Sequence, residues 1–101
     1  FGEALKEYTR AAAPMQWAMT QNNLGIALAD LAEADEPRRR ELLRRSIGCS
    51  KGALRVRTPE AFPHDHADTT KNLDINRRRY ESLGYHAGPG GVPFDDIPAA
   101  E

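Results

Sequence analysis

A single cysteine, Cys49, is the only thiol among the 101 residues. That excludes an intramolecular disulfide and a thiolate metal cluster, and it makes a reducing interior, the cytoplasm by default, the expected compartment. No run approaches the ~20 apolar residues of a membrane-crossing helix. The start, FGEALKEYTR, has no basic-then-apolar export pattern, so no membrane partner is expected. Neither sign of charge dominates: 14 Lys and Arg stand against 15 Asp and Glu, a formal net charge of -1. The chain therefore lacks the global positive field that draws nucleic acid or an anionic lipid surface. Aromatic residues are only 7%, which leaves most of the core to Ala, Leu and Ile, residues at home in helices. The length allows one domain with little stability to spare.

What the chain does contain is a repeat. Pro14 to Ala29, PMQWAMTQNNLGIALA, returns as Pro63 to Arg78, PHDHADTTKNLDINRR. A shift of 49 positions, from Pro14 to Pro63, pairs Ala18 with Ala67, Thr20 with Thr69, Asn23 with Asn72, Leu24 with Leu73 and Ile26 with Ile75. The same register holds upstream, where Ala4, Leu5, Thr9 and Ala12 meet Ala53, Leu54, Thr58 and Ala61. Self-similarity at this spacing marks a stack in which each unit buries its apolar face against its neighbours. In this register Phe1 pairs with Ser50, inside a helix, and the chain has no initiator Met; the expectation is a fragment or processed product that enters mid-helix.

Four helices are predicted. The first, Glu3 to about Ala12, ends before Pro14, which disfavours helix in the residue before it. The second runs from Met15 to about Ala34 with a stripe of Trp17, Thr20, Gln21, Leu24, Ala27, Leu28 and Leu31. Gly25 in its middle implies that another helix packs close. The third opens at Pro37, with Asp35 or Glu36 as the cap region, and reaches about Arg57 through Leu42, Leu43, Ile47, Leu54 and Val56; Gly48 and Gly52 form a small-residue strip one turn apart. The fourth is expected from an Asp65 N-cap to about Leu83, with Ala67, Thr70, Leu73, Tyr80 and Leu83 on its stripe. Against the first copy, Gly25 becomes Asp74, Ala27 becomes Asn76 and Leu28 becomes Arg77. Burying unpaired polar groups is costly, so this helix reads as a polar terminal cap. The Gly- and Pro-rich tail, residues 84–101, shows no period and is expected to be flexible or draped along the surface.

QNNLGIALADL followed by ELLRRSIGCSKGALRVRTPEAFPHDHADTTKNL resembles tetratricopeptide repeats. It is most similar to the long-period bacterial arrays with N-N-L-G-x-A-L in the first helix of each unit, and to the kinesin light chain type. The resemblance covers roughly residues 1–83, as units of about 1–49 and 50–83. It implies an all-α fold, antiparallel helix pairs stacked as an α-solenoid, whose first helices line a concave groove for a peptide or helix of a partner protein. It further implies that Asn23 and Asn72, just before the Leu, face that groove and hydrogen-bond ligand backbone. By spacing, Ile26 with Asp30 and Ile75 with Arg79 share their face; Asn22 and Lys71 flank it. A complete Lys and Arg clamp for a terminal carboxylate is not present.

Each candidate has a plainer counterpart. Asn23 and Asn72 otherwise only solvate a helix, and a lone Trp17 on an apolar face belongs more often to a core than to a binding hot spot. The cluster His64, Asp65, His66 and Asp68 carries imidazole and carboxylate ligands for a divalent metal, but helix capping and edge positions account for the same residues. Arg38 to Arg40, Arg44, Arg45 and Arg77 to Arg79 are read as solvated faces rather than phosphate contacts. Cys49 is read as a small core residue. The tail stretch VPFDDIP, Val92 to Pro98, either occupies a groove of its own chain or a neighbour's, or is disordered; disorder is the reading taken. The sequence therefore predicts a non-enzymatic protein-interaction module without cofactor. Its alternatives are a structural, self-associating cap and, behind that, a metal enzyme using His64 and His66. Truncation at Phe1 is expected to uncover apolar surface around Leu5, Tyr8 and Trp17, so self-association, with exchanged helices, is a further expectation.

Overall fold

Pro14, Glu36-Pro37 and Pro63 each open a helical element. The computed structural model describes residues 12–83 and 93–100, and within them every regular element is helical. These are α1 (Pro14–Ala34), a 3-10 turn (Glu36–Arg38), α2 (Arg39–Leu54), α3 (Pro63–Ser82) and a second 3-10 turn (Phe94–Asp96). The expected first helix, Glu3 to about Ala12 with Leu5 and Tyr8, lies outside the described residues except for Ala12, which stands in a turn. Among those described, no helix is long and apolar enough to cross a membrane.

Proline at the first helical position costs no hydrogen bond, because that N–H has no helical partner; hence α1 and α3 begin at Pro14 and Pro63. Asp65 is accordingly not the N-cap of α3 but an acid in its first turn, where the helix dipole favours negative charge. Asp35 does cap: its side chain accepts from the Arg38 amide at 3.2 Å. Arg39, read from the sequence as solvated, instead covers the end of α1, donating to the carbonyls of Ala32 (2.8 Å) and Glu33 (3.2 Å). Orphan carbonyls at a helix C-terminus favour such a partner.

α1 and α2 form an antiparallel pair. Trp17 packs with Ala53 and Val56 at one end, Gly25 meets Ser46, Cys49 and Ser50 at the middle, and Ala32 meets Arg39 at the other. The seam runs through Ala18, Gly25 and Ala32, all buried, at seven-residue spacing. This small-residue seam sets the rotation of α1: Ala32 is buried while Leu31, placed on the stripe by its periodicity, is 46% exposed. A Cβ built on Gly25 would stand 3.3 Å from the Ser46 carbonyl, the close approach that its presence in mid-helix implied.

α3 packs mainly on α2, parallel to α1: Thr69 reaches Asn22, Asn76 reaches Ser46 and Arg79 reaches Glu33. Its buried residues are Thr69, Asn76 and Tyr80, with Leu73 and Leu83 packed at the edge of the core. Ala67 and Thr70, expected on the buried face, are exposed. Hydrogen bonding explains the shift. Ser46 Oγ donates to the Gly25 carbonyl at 2.6 Å and accepts from Asn76 Nδ2 at 3.3 Å, while Thr69 Oγ1 donates to Asn22 Oδ1 and accepts from Arg57, both at 3.1 Å. Asn76 thus enters the interior with partners, contrary to the expectation that its polarity would keep that side outward.

The core joins Leu28, Ala32, Leu42, Leu43, Ile47, Cys49, Tyr80 and Ile97. Ile97 belongs to the tail, and it is 3% exposed. Residues 93–100 are therefore docked against the helices rather than disordered. Trp17, expected within an apolar surface uncovered at Phe1, is 2% exposed; it contributes nothing to an uncovered apolar patch.

Candidate functional site

Where α1 and α3 run side by side they leave a cleft of about 210 Å³. Ile26, Ala29, Asp30 and Glu33 form the α1 wall, and Asn72, Ile75, Asn76 and Arg79 the α3 wall. Gly25 and Ser50 reach its floor. The walls follow from helical spacing, since 26, 30 and 33 share one face of α1, and 72, 75, 76 and 79 one face of α3.

Ile26 and Ile75, equivalent positions of the two copies, are 41% and 44% exposed. Scattered exposed aliphatics are ordinary, but two lining one concavity make an apolar contact surface. One end is charged. Arg79 lies 3.6 Å from Glu33 and donates to Asn76 Oδ1 at 3.3 Å, with Asp30 nearby in the same wall. The Glu33 side chain is largely solvated, so this ion pair contributes little to stability, and both groups keep hydrogen-bonding capacity for a ligand. Asn72 adds an amide with both donors and an acceptor.

Five of the eight residues singled out in the sequence thus come together: Ile26, Asp30, Asn72, Ile75 and Arg79. The other three do not. Asn22 accepts the Thr69 hydroxyl and latches α1 to α3, whereas Asn23 and Lys71 are exposed and line no part of the cleft. Glu33 was within reach of the sequence, three residues after Asp30 on the same face. Ser50 was not, because only the packing of α2 beneath the two helices brings it to the floor.

A second hollow, of about 300 Å³, is lined by Met15, Met19, Val56, Phe62 and four other residues near the start of α1. It is more apolar, but Gln16 with Asp65 is the one pair of equivalent repeat positions in its lining, whereas the α1–α3 cleft holds two, Ile26 with Ile75 and Asp30 with Arg79, and is the better-founded candidate. The His64 to Asp68 cluster does not converge. His66 Nδ1 lies 2.9 Å from the Arg57 carbonyl, His64 is exposed, and among the described residues no three His, Cys, Asp or Glu side chains are grouped to hold a metal ion. Cys49 is buried, and burial pushes its thiol up to about 11, partly offset by the Arg45 charge. Near pH 8 its alkylation by iodoacetamide should be roughly a hundredfold slower in the folded chain than in denaturant, because the thiolate is the reactive form; equal rates would show an accessible thiol.

No family model matches the chain, and no curated protein or solved structure matches it.

Proposed function

We propose that the chain is a non-enzymatic, tetratricopeptide-like interaction module that holds a peptide or helix of a partner protein in the cleft between α1 and α3, in the cytoplasm and without a cofactor. The observation that carries this reading is the convergence of equivalent repeat positions, Ile26 with Ile75, on one open concavity. The internal repeat and the parallel setting of α1 and α3 support the architecture. Rigid helices hold the cleft before the ligand arrives, so little ordering entropy opposes binding. An aliphatic side chain of the ligand would sit between the two isoleucines, while Asn72 takes its backbone amide and the Asp30, Glu33 and Arg79 end fixes its direction.

Selection of a displayed peptide library on the purified chain tests this. Peptides recovered should carry an aliphatic residue and lose about tenfold or more in affinity for Ile75→Glu and for Asn72→Ala, with far-ultraviolet circular dichroism unchanged. Peptides that bind parent and variants equally, or a selection that yields none, would overturn the assignment.

A further inference from the structure

Residues 93–100 lie on α2 half a turn from Ser46, Cys49 and Ser50, the residues that meet α1. Their contacts are specific rather than merely covering. The segment makes one 3-10 turn, closed by the Asp96 amide on the Pro93 carbonyl (2.9 Å) and the Ile97 amide on the Phe94 carbonyl (3.2 Å). Lys51 Nζ donates to the carbonyls of Phe94 (2.5 Å) and Ile97 (2.9 Å), so one ammonium holds both ends of the turn. The Phe94 ring lies between two cations, 4.4 Å from Lys51 Nζ and 4.6 Å from the Arg77 guanidinium, an arrangement favoured by the ring quadrupole. Ile97 fills the core beside Tyr80.

Beyond Pro98 the groove reads backbone. The Ala100 amide donates to the Gly48 carbonyl at 2.9 Å, an oxygen inside a helix that is reachable because this side of α2 carries glycine. A Cβ on Gly52 would stand 2.7 Å from the Ala100 oxygen, and one on Gly48 3.1 Å from the Pro98 oxygen. The groove thus selects an aromatic residue, an aliphatic one three positions on, a proline, and then only small residues. Asp95 and Asp96 are exposed and act electrostatically on Lys51, so the ligand's charge complements the cations that hold it.

We propose that this α2–α3 groove is a recognition site for an acidic Phe-Asp-Asp-Ile-Pro segment, and that its resident ligand, residues 93–100 in cis, exchanges with the same segment of a second copy of the chain. The site is separate from the α1–α3 cleft. Ten residues, four of them glycine, join α3 to the strap, and a connection that short gives the cis segment an effective concentration in the millimolar range. Trans binding therefore emerges when the cis strap is weakened.

The test uses a labelled synthetic peptide of residues 92–101 with four chains of 101 residues: the parent, Phe94→Ala/Ala100→Pro, the latter carrying Gly52→Ala as well, and Gly52→Ala alone. Phe94→Ala/Ala100→Pro removes the ring between the cations and the amide donor but leaves Ile97 in the core. It should bind the peptide about tenfold or more tightly than the parent does, and Gly52→Ala should abolish that gain. Gly52→Ala alone favours helix while blocking the strap, so it keeps the test readable if the strap variant fails to fold. It should speed amide exchange at Ile97 and Ala100 by about tenfold or more with helicity unchanged. Equal affinity for parent and strap variant, binding that survives Gly52→Ala, or undiminished protection at Ala100 in the Gly52→Ala chain would each overturn the proposal.

Discussion

Gly25→Leu is expected to lower the melting temperature of the chain by roughly 15 °C or more, while Gly25→Ala leaves it within about 5 °C of the parent. A Cβ at residue 25 would stand 3.3 Å from the Ser46 carbonyl, 3.4 Å from Cys49 Cβ and 3.5 Å from Ser50 Oγ. A single methyl is tight, but a shift of a few tenths of an ångström accommodates it, and the gain of about 1 kcal/mol in helix propensity offsets the strain. Leucine has no such exit. Its remaining carbons would have to enter the α2 backbone, an overpacking that costs about 1–3 kcal/mol and occasionally more. Prising the helices apart would also break the 2.6 Å bond from Ser46 Oγ to the Gly25 carbonyl and disturb the Asn76 amide that donates to the same hydroxyl, and a buried donor left without a partner costs about 1–3 kcal/mol. A domain of this size has only about 5–15 kcal/mol in total. Thermal unfolding followed by circular dichroism decides: a Leu variant that melts with the parent would mean that α1 and α2 do not approach closely at Gly25.

That close approach was readable in advance, and the reason is instructive. Prolines at 14, 37 and 63 open the helical elements, and the apolar periodicity fills each helix, so their existence follows from local chemistry, although α2 ends at Leu54 rather than about Arg57 and α3 opens at Pro63 rather than after an Asp65 cap. The echo of Ile26 in Ile75 likewise marked both walls of the cleft. What local chemistry does not contain is the rotation of each helix about its axis. Leu31 lost its place to Ala32 because a seam of small residues lets α2 come nearer than a leucine stripe would. Asn76 and Thr69 went inward because their partners, Ser46 and Asn22, stand 30 and 47 residues away in sequence. For the strap, the sequence leaves a groove of its own chain open as one reading but favours disorder, for the same reason. VPFDDIP has no period of its own, and its order comes from Lys51 and two glycines on α2. Asn23 misled as an isolated analogue of Asn72, since equivalence in the repeat does not supply each copy with an equivalent neighbour.

Tyr80→Ala should destabilise the chain by about 3–5 kcal/mol, the cost of emptying a buried aromatic site, whereas Tyr80→Phe, which keeps the ring, should cost only about 1 kcal/mol. Tyr80 is 1% exposed. It joins α3 to Leu42, Leu43 and Ile47 of α2 and to Ile97 of the strap in one cluster. Trp17 lies in a different cluster, with Ala18 and Ala53, and so reports on the α1–α2 pair alone. Two outcomes are distinguishable in denaturant. If each helix pair stood by itself, as in a long array with additive units, Tyr80→Ala would release α3 first. Circular dichroism would then lose about a third of its helical signal, since α3 has 20 residues against 21 in α1 and 16 in α2, while Trp17 fluorescence stayed native. Size argues for the other outcome. A helical hairpin of about 40 residues seldom buries enough surface to persist alone, so Trp17 and the helical signal should shift together to a lower midpoint. Coincident curves would mean that both walls of the α1–α3 cleft are stabilised as one cooperative unit; Trp17 holding its native emission after α3 has melted would refute that. In the coincident case a ligand bound between Ile26 and Ile75 would stabilise Trp17 as well, although it touches neither that ring nor its neighbours, because anything that binds only the folded state shifts the whole equilibrium.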